Sequence, residues 1–339
     1  MSESVLVSID EPTDVAQVRR TATRLAYSIG FDETRAGEVA IVATEAGTNM
    51  LKHARRGDVI LRVCGDAGEE GTQSPRLELL ALDHGPGMTD IPRCLSDGYS
   101  TGGSPGQGLG AIQRLSTESD FYSVPGAGTA VLARWLSRPA TASLNTGLQV
   151  GAVNLLKKGQ EVCGDSWGIE QTDDVATILV ADGLGHGYDA NVASQEAVRI
   201  LHNNPYATPH QLLQLAHLAL RSTRGAAVAI ARIDRVSGQL TFAGVGNVMA
   251  QIYAGAQASQ HLVSVNGTAG HQTLRLREFT YPWPEDGILV LFSDGLATGT
   301  TLEGRPGLAF HDVSLIAGVL HRDFTRGMDD ATVVVVRAA

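Results

Sequence analysis

Four aspartates in the second half of the chain sit at the ends of apolar runs or beside glycine: Asp165 in CGDSW, Asp182 in VADGLGHG, Asp294 in FSDGL and Asp329 in MDDATVVVV. An Asp-Gly step alone reads as a tight turn. Four such acids at strand ends can be gathered by one sheet, although they lie far apart in sequence. A dense set of hard oxygen donors suits Mg²⁺ or Mn²⁺. No HxxxH or CxxC set points to zinc. Two such ions would lower the pKa of a shared water toward neutrality and supply hydroxide for in-line attack on phosphorus.

The first half carries different chemistry. Glu45, Asn49 and His53 recur every four residues, along one face of a predicted helix. Downstream, LDHGPGM ends a strand on Asp83, which can accept a hydrogen bond from an exocyclic amine; Gly85 and Gly87 let backbone approach a flat ring. Then STGGSPGQGLGAIQRL runs a glycine-rich loop into a helix N-terminus, a cradle for phosphate. The loop fits neither GxxxxGK[ST] nor a strand-bound GxGxxG. Each motif alone is an ordinary turn or a solvated stripe. The ordered trio specifies a nucleotide site.

The elements that must hold these residues follow from periodicity. Val15, Val18, Leu25 and Ile29 define a first helix closed near Gly30, and Asp32 caps a second. Strands at DVILRVCG and RLELLALDHG, a helix at GLGAIQRL and a hairpin through FYSVPGAGTAVLARW complete an α/β sandwich of one mixed sheet backed by helices. SRPATASLNTG reads as a linker, giving domains 1–138 and 148–339 around residues 139–147. The second half is mostly antiparallel strands, with helices at SQEAVRILHN and PHQLLQLAHLALRST and a hairpin at Ser237-Gly238. That is a two-sheet α+β sandwich.

The bulk numbers agree with two globular domains: 339 residues, 43% hydrophobic and 18% charged. A formal charge of −10 argues against nucleic acid and anionic membrane surfaces as partners. The N-terminus shows no signal-peptide pattern, no apolar run is long enough for a membrane span, and three cysteines without CxxC spacing read as reduced thiols. The expected location is cytoplasmic.

The first ~137 residues, through TEAGTNMLKHA, DHGPGM, DGYSTGGSPGQGLGAIQRL and YSVPGAGT, resemble the GHKL-type (Bergerat) ATPases shared by bacterial anti-sigma factors and the serine/threonine switch kinases of the stressosome. The resemblance implies ATP and Mg²⁺, with Asn49 on the metal and Asp83 on the adenine amine. Gly85, Gly87, Gly106, Gly108 and Gly110 would shape the pocket, and Thr129 would support its adenine end. Glu45 would act as base toward a protein hydroxyl. Residues from about 145 onward, through VCGDSWGI, ILVADGLGHG, RGAAVAIARID, GVGNV, LFSDGLA and DDATVVVV, resemble the SpoIIE-like branch of the PPM phosphatases, with an α-β-β-α sandwich and two Mn²⁺ or Mg²⁺. Carried over, Asp182 bridges both ions, the Gly183 carbonyl joins one, Asp294 and Asp329 bind the second, and Asp165 orients water or binds directly. Asp330 is the lesser candidate of the DD pair.

The phosphate-gripping arginine common near the first metal motif of that family is absent from VCGDSW. The metals, Gly185 or His186 would take its place, and Arg224 is unassigned. The expected function is a bifunctional partner-switching regulator in stress signalling. One half phosphorylates a serine or threonine of a STAS-domain protein and the other removes phosphate; a downstream regulator is a further candidate partner. The alternative keeps only the phosphatase catalytic and makes the first half a nucleotide-dependent, anti-sigma-type binding module.

Overall fold

In the computed structural model, residues 4–65, 75–95, 108–137, 148–172, 174–254, 259–271 and 276–338 are described. The linker expected at 139–147 and the loop residues through Gly106 lie outside them. By compactness the chain forms two units, Met1–Ser143 with Arg305–Arg322, and Leu144–Gly304 with Asp323–Ala339.

The first unit begins with β1 (Ser4–Ile9), α1 (Pro12–Ser28) and α2 (Glu33–Asn49). Asp32 caps α2 by accepting from the Arg35 amide at 2.8 Å, as its type predicts. Val18 is fully buried, and Val15, Leu25 and Ile29 pack around the same core. Then come β2 (Gly57–Cys64), β3 (Arg76–Asp83), α3 (Ile91–Leu95), α4 (Gly108–Leu115), β4 (Glu118–Val124) and β5 (Gly128–Leu136). The sheet order is β1-β2-β3-β5-β4 and every pairing among the described residues is antiparallel, so there the sheet is antiparallel rather than the mixed one expected from the sequence. Two pairings, β2–β3 and β4–β5, join chain neighbours, while β1–β2 and β3–β5 are made across intervening helices, also antiparallel.

The second unit carries β6 (Leu148–Leu155), β7 (Asp165–Gln171), β8 (Val175–Gly183), α5 (Tyr188–Asn203), α6 (Pro209–Ala219), β9 (Ala226–Asp234), β10 (Gln239–Val245), β11 (Met249–Ala254), β12 (Gln260–His261), β13 (Phe279–Pro282) and β14 (Gly287–Phe292). Helix α7 (Val313–Phe324) follows, and β15 (Ala331–Ala338) ends the chain. Two five-stranded sheets result, β13-β10-β9-β8-β7 and β12-β11-β14-β15-β6. Ile178, Val180, Ala229 and Phe242 from one sheet share a core with Ala250, Leu289, Leu291 and Val334 from the other. Leu179 and Ala181 face the opposite way, into a second core with α5 and α6. The period-2 alternation of β8 therefore separates a sheet-facing row from a helix-facing row.

Residues 305–322 belong with the first unit. They cover the sheet face opposite α1 and α2: a Cβ on Gly318 would lie 3.2 Å from Leu82 and 3.4 Å from Leu80. Both faces of β3 are thus buried, which is why RLELLALD shows no polar alternation. Its glutamate, Glu78, is fully buried. Its carboxylate accepts from Arg62 Nε at 2.6 Å, Arg134 Nε at 2.8 Å and Arg76 Nε at 3.2 Å. Arg134 continues to Asp312. Burial alone would push the Glu78 carboxyl up; the charges of Arg62, Arg134 and Arg76 overcome it and hold it far below the usual range.

Candidate functional sites

In the first unit, Glu45 and Asn49 lie one turn apart on α2 and converge on the start of α4. A Cβ on Gly108 would stand 3.1 Å from Asn49 Oδ1 and 3.2 Å from Glu45 Oε2. The glycine keeps that approach open. His53 does not join them. Residues Met50–Ala54 form a π-helical turn, which breaks the four-residue spacing and leaves His53 exposed.

Asp83 ends β3 directly across from Thr129 on β5. Its Oδ1 accepts from the Gly85 amide at 2.7 Å and the Thr129 amide at 3.2 Å. Burial raises its carboxyl above the ordinary range, and these two amides oppose the rise. Gly85 presses on Ala54, 2.8 Å from an added Cβ; Gly87, at φ +69°, would meet the Val124 carbonyl at 2.2 Å. Both glycines are required by close approach. Gly110 is buried within α4, and the Thr129 hydroxyl is 3.0 Å from Ser123 Oγ. Sequence reasoning missed Arg322, whose Nη1 donates to the carbonyls of Asp83 (3.1 Å) and Thr129 (3.3 Å). Nothing in DHGPGM or YSVPGAGT announces it.

In the second unit the sheet-facing rows end in polar residues. Asp182 continues the row of Ile178 and Val180, and Asp165 stands opposite it in the β7–β8 ladder. Ser293 continues the row of Leu289 and Leu291, Thr332 that of Val334 and Val336, and Asn154 that of Ala152. Ser293 Oγ donates to Asp165 Oδ2 at 2.6 Å and accepts from the Thr332 amide at 3.0 Å. Asn154 donates to Thr332 Oγ1 at 2.7 Å and to the Asp165 carbonyl at 3.3 Å. Ser293, Thr332 and Asn154 were missed. The signal was present, as single polar residues on apolar strands, and period 2 aims all three at one point.

Asp294 lies just past β14 and accepts from Asn247 Nδ2 at 2.5 Å. Asn247 is therefore a positioning group for Asp294. Asp329 is exposed beside them. Asp330 differs: it is buried and its carboxylate accepts from the Lys157 amide (2.7 Å) and the Gly164 amide (2.9 Å), tying down the β6–β7 loop. Glycine follows both Asp182 and Asp294 for one reason. A Cβ on Gly183 would lie 2.0 Å from the Ala190 carbonyl oxygen, and one on Gly295 1.9 Å from that of Asp330. Gly185 sits at φ +91° in the turn after Asp182, with Arg224 beside it, and Arg224 is paired with Asp189 at 2.6 Å. His186 is exposed.

The electrostatics of this end of the sandwich are unfavourable. Burial, then the charges of Asp165, Asp294, Asp329 and Asp330, push the Asp182 carboxyl far above its ordinary value. Burial raises Asp165 as well, against the pull of Ser293 and Thr332, and burial followed by Asp329 raises Asp294. Among the described residues no three His, Cys, Asp or Glu side chains are drawn close enough to grip an ion as they stand. The donor chemistry nonetheless fits a hard divalent cation: carboxylates from buried Asp165 to exposed Asp329, repelling one another, with oxygen donors only.

Comparison with known proteins finds a match for each half of the chain. Residues 10–135 match the histidine kinase-like ATPase domain family and residues 172–339 the SpoIIE (stage II sporulation protein E) family. The serine/threonine-protein kinase RsbT of Bacillus subtilis (strain 168) is 31% identical over 137 residues, 40% of this chain and 99% of RsbT. The chain belongs to the histidine kinase-like ATPase family and joins to it a SpoIIE-type domain. That second domain is 26% identical over 152 residues to the phosphoserine phosphatase RsbX of the same organism, 45% of this chain and 76% of RsbX. A crystal structure of RsbX with magnesium superposes with a TM-score of 0.51 at 23% identity, over 57% of this chain and 96% of RsbX. The fold is that of a GHKL-like ATPase followed by a PPM-type phosphatase. No helix among the described residues is long and apolar enough to cross a membrane.

Proposed function

We propose that the protein is a partner-switching regulator with two opposed phosphoryl activities. Its first domain transfers phosphate from Mg-ATP to a serine or threonine of a STAS-domain protein, and its second removes phosphate from phosphoserine or phosphothreonine. The observation that carries this is the presence in one chain of a nucleotide cradle at Glu45, Asn49 and Gly108 and an acidic cluster around Asp182. The relatives of the two halves are a kinase and a phosphatase.

In the first domain Asn49 would hold Mg²⁺, Asp83 would accept from the adenine amine, and Gly85, Gly87, Gly106, Gly108, Gly110 and Thr129 would bound the nucleotide. Glu45 takes the proton of the attacking hydroxyl. Such transfer needs little beyond placement, charge compensation and a nearby carboxylate. In the second domain Asp182, the Gly183 carbonyl, Asp294 and Asp329 would hold two Mn²⁺ or Mg²⁺ ions, with Asp182 the shared ligand. Asp165, fixed by Ser293, orients the nucleophilic side of the site. Bound cations would supply a water activated at neutral pH and neutralise the phosphate ester.

The test separates the halves. Incubation with labelled ATP and a STAS-domain protein should label the partner, and Glu45→Ala should lose transfer while keeping ATP affinity. Binding without label transfer would reduce the first domain to a nucleotide-dependent binding module. Manganese-dependent phosphate release from the phosphorylated partner should vanish in Asp182→Asn; persistence would remove the metal assignment.

A further inference from the structure

A cavity of about 410 Å³ opens beside Asp294 in the second unit. Its lining includes Asn247, Met249, Leu262, Ser264, Thr298 and Arg326. The floor is preformed, because Val248 and Leu262 are buried and belong to the core between the sheets. The rim is polar. Its volume falls within the ~300–1,000 Å³ range of ligand sites, enough for a side chain and adjoining backbone.

Two features say what enters it. Asp294 forms one wall, so the cavity is continuous with the acidic end of the sandwich. Arg326 forms another, and its charge partly offsets the raised carboxyl of Asp294. The Arg326 amide donates to the Gly295 carbonyl at 2.9 Å, which fixes its backbone against the FSDGL turn. Beside the divalent cations proposed above, a dianionic phosphate ester gains from a fixed side-chain cation on its flank, and VCGDSW supplies none.

We propose that this cavity is a substrate subsite. It seats an apolar side chain next to the phosphoserine of a protein substrate, and Arg326 contacts a phosphate oxygen of that residue. The inference rests on the phosphatase reading above. It adds a sequence preference: an apolar neighbour favours hydrolysis because its burial on the Leu262 floor is gained together with phosphate placement.

The experiment uses the full chain with Mn²⁺, p-nitrophenyl phosphate as a small ester, and phosphoserine peptides differing only in the flanking residue, Leu or Ser. Wild type should prefer the Leu peptide by about 10-fold or more in kcat/KM, the effect of burying one such side chain. Thr298→Trp, at an exposed rim position, should bring that ratio near one while hydrolysis of the small ester persists. Arg326→Ala should raise KM for both peptides and for the small ester and leave the Leu preference in place; an unchanged KM on all three would remove the phosphate contact. No Leu preference in wild type, an undiminished preference in Thr298→Trp, or equal losses on the Leu peptide and the small ester in Thr298→Trp would overturn the subsite. Absence of any small-ester hydrolysis by wild type would instead overturn the phosphatase reading, and the subsite with it.

Discussion

Asp165 and Asp182 stand directly opposite one another in the β7–β8 ladder, both on the row that faces the other sheet. Each carboxyl is raised by burial, and the charge of Asp165 adds to the rise at Asp182. A carboxyl raised in the fold stabilises the protein most when protonated, below the ordinary carboxylate range. That stability is lost as pH climbs through the raised value. Without metal, the protein should therefore melt lower at pH 8.5 than at pH 6. Mn²⁺ or Mg²⁺ should restore the loss, more strongly at the higher pH. Asp182→Asn should raise the melting temperature in EDTA at pH 8.5 and abolish the metal increment. A metal increment of wild-type size in the variant would show that Asp182 is not a ligand.

The two Asp-Gly steps are steric necessities as well as turns. An alanine Cβ at 183 would lie 2.0 Å from the Ala190 oxygen, and at 295 1.9 Å from the Asp330 oxygen; both obstacles are backbone. Gly183→Ala and Gly295→Ala should each cost about 2–4 kcal/mol, because strands or helix must move apart. Gly299→Ala meets nothing within 4 Å and should fall within about 0.5 kcal/mol of wild type. Denaturant melts of the three variants check the ranking.

The arginine cluster on β2, β3 and β5 separates a buried charge from an exposed one. Glu78 is fully buried between Arg62 and Arg134, whereas Glu118, which also pairs with Arg134, is 51% exposed. Glu78→Ala should cost about 3–5 kcal/mol by stranding the buried Arg62 charge. Glu118→Ala should cost less than about 1 kcal/mol. Equal effects from the two, read by thermal or denaturant unfolding, would contradict the burial.

Much of this was legible in the sequence, and the failures have physical causes. The Asp32 cap, the hairpin at Gly238 and the polar ends of β8 and β14 follow from local rules, since turn chemistry and alternation act over a few residues. The π turn at Met50 was invisible, because TNMLKHA continues the helical pattern in residue type while its hydrogen bonding widens. Glu78 could be read only as an acid in an apolar strand; its partners Arg62, Arg134 and Ser314 come from other elements of the chain. Arg322 reaches the Asp83 carbonyl across more than 200 residues for the same reason. Asp165, Asp182, Asp294 and Asp329 stood out in the sequence as acids at strand ends or beside glycine, but the fold draws them from the ends of both sheets rather than from one. The supporting Ser293, Thr332 and Asn154 needed strand register, which one sequence leaves open.

His321 offers a last test, through protonation. It lies on α7, nearly fully buried, and burial pushes its imidazole down from 6.5 to about 4. A histidine depressed in the fold stays neutral there while the unfolded chain takes up a proton. Its stability contribution is therefore whole above pH 6.5 and falls as pH drops toward about 4. At about 1.4 kcal/mol for each pH unit, the loss reaches about 3 kcal/mol at the acid end. His321→Leu removes the proton site and keeps the position apolar. Between pH 7 and pH 5 the variant should lose less melting temperature than wild type, and identical slopes would show that the imidazole takes a proton without unfolding.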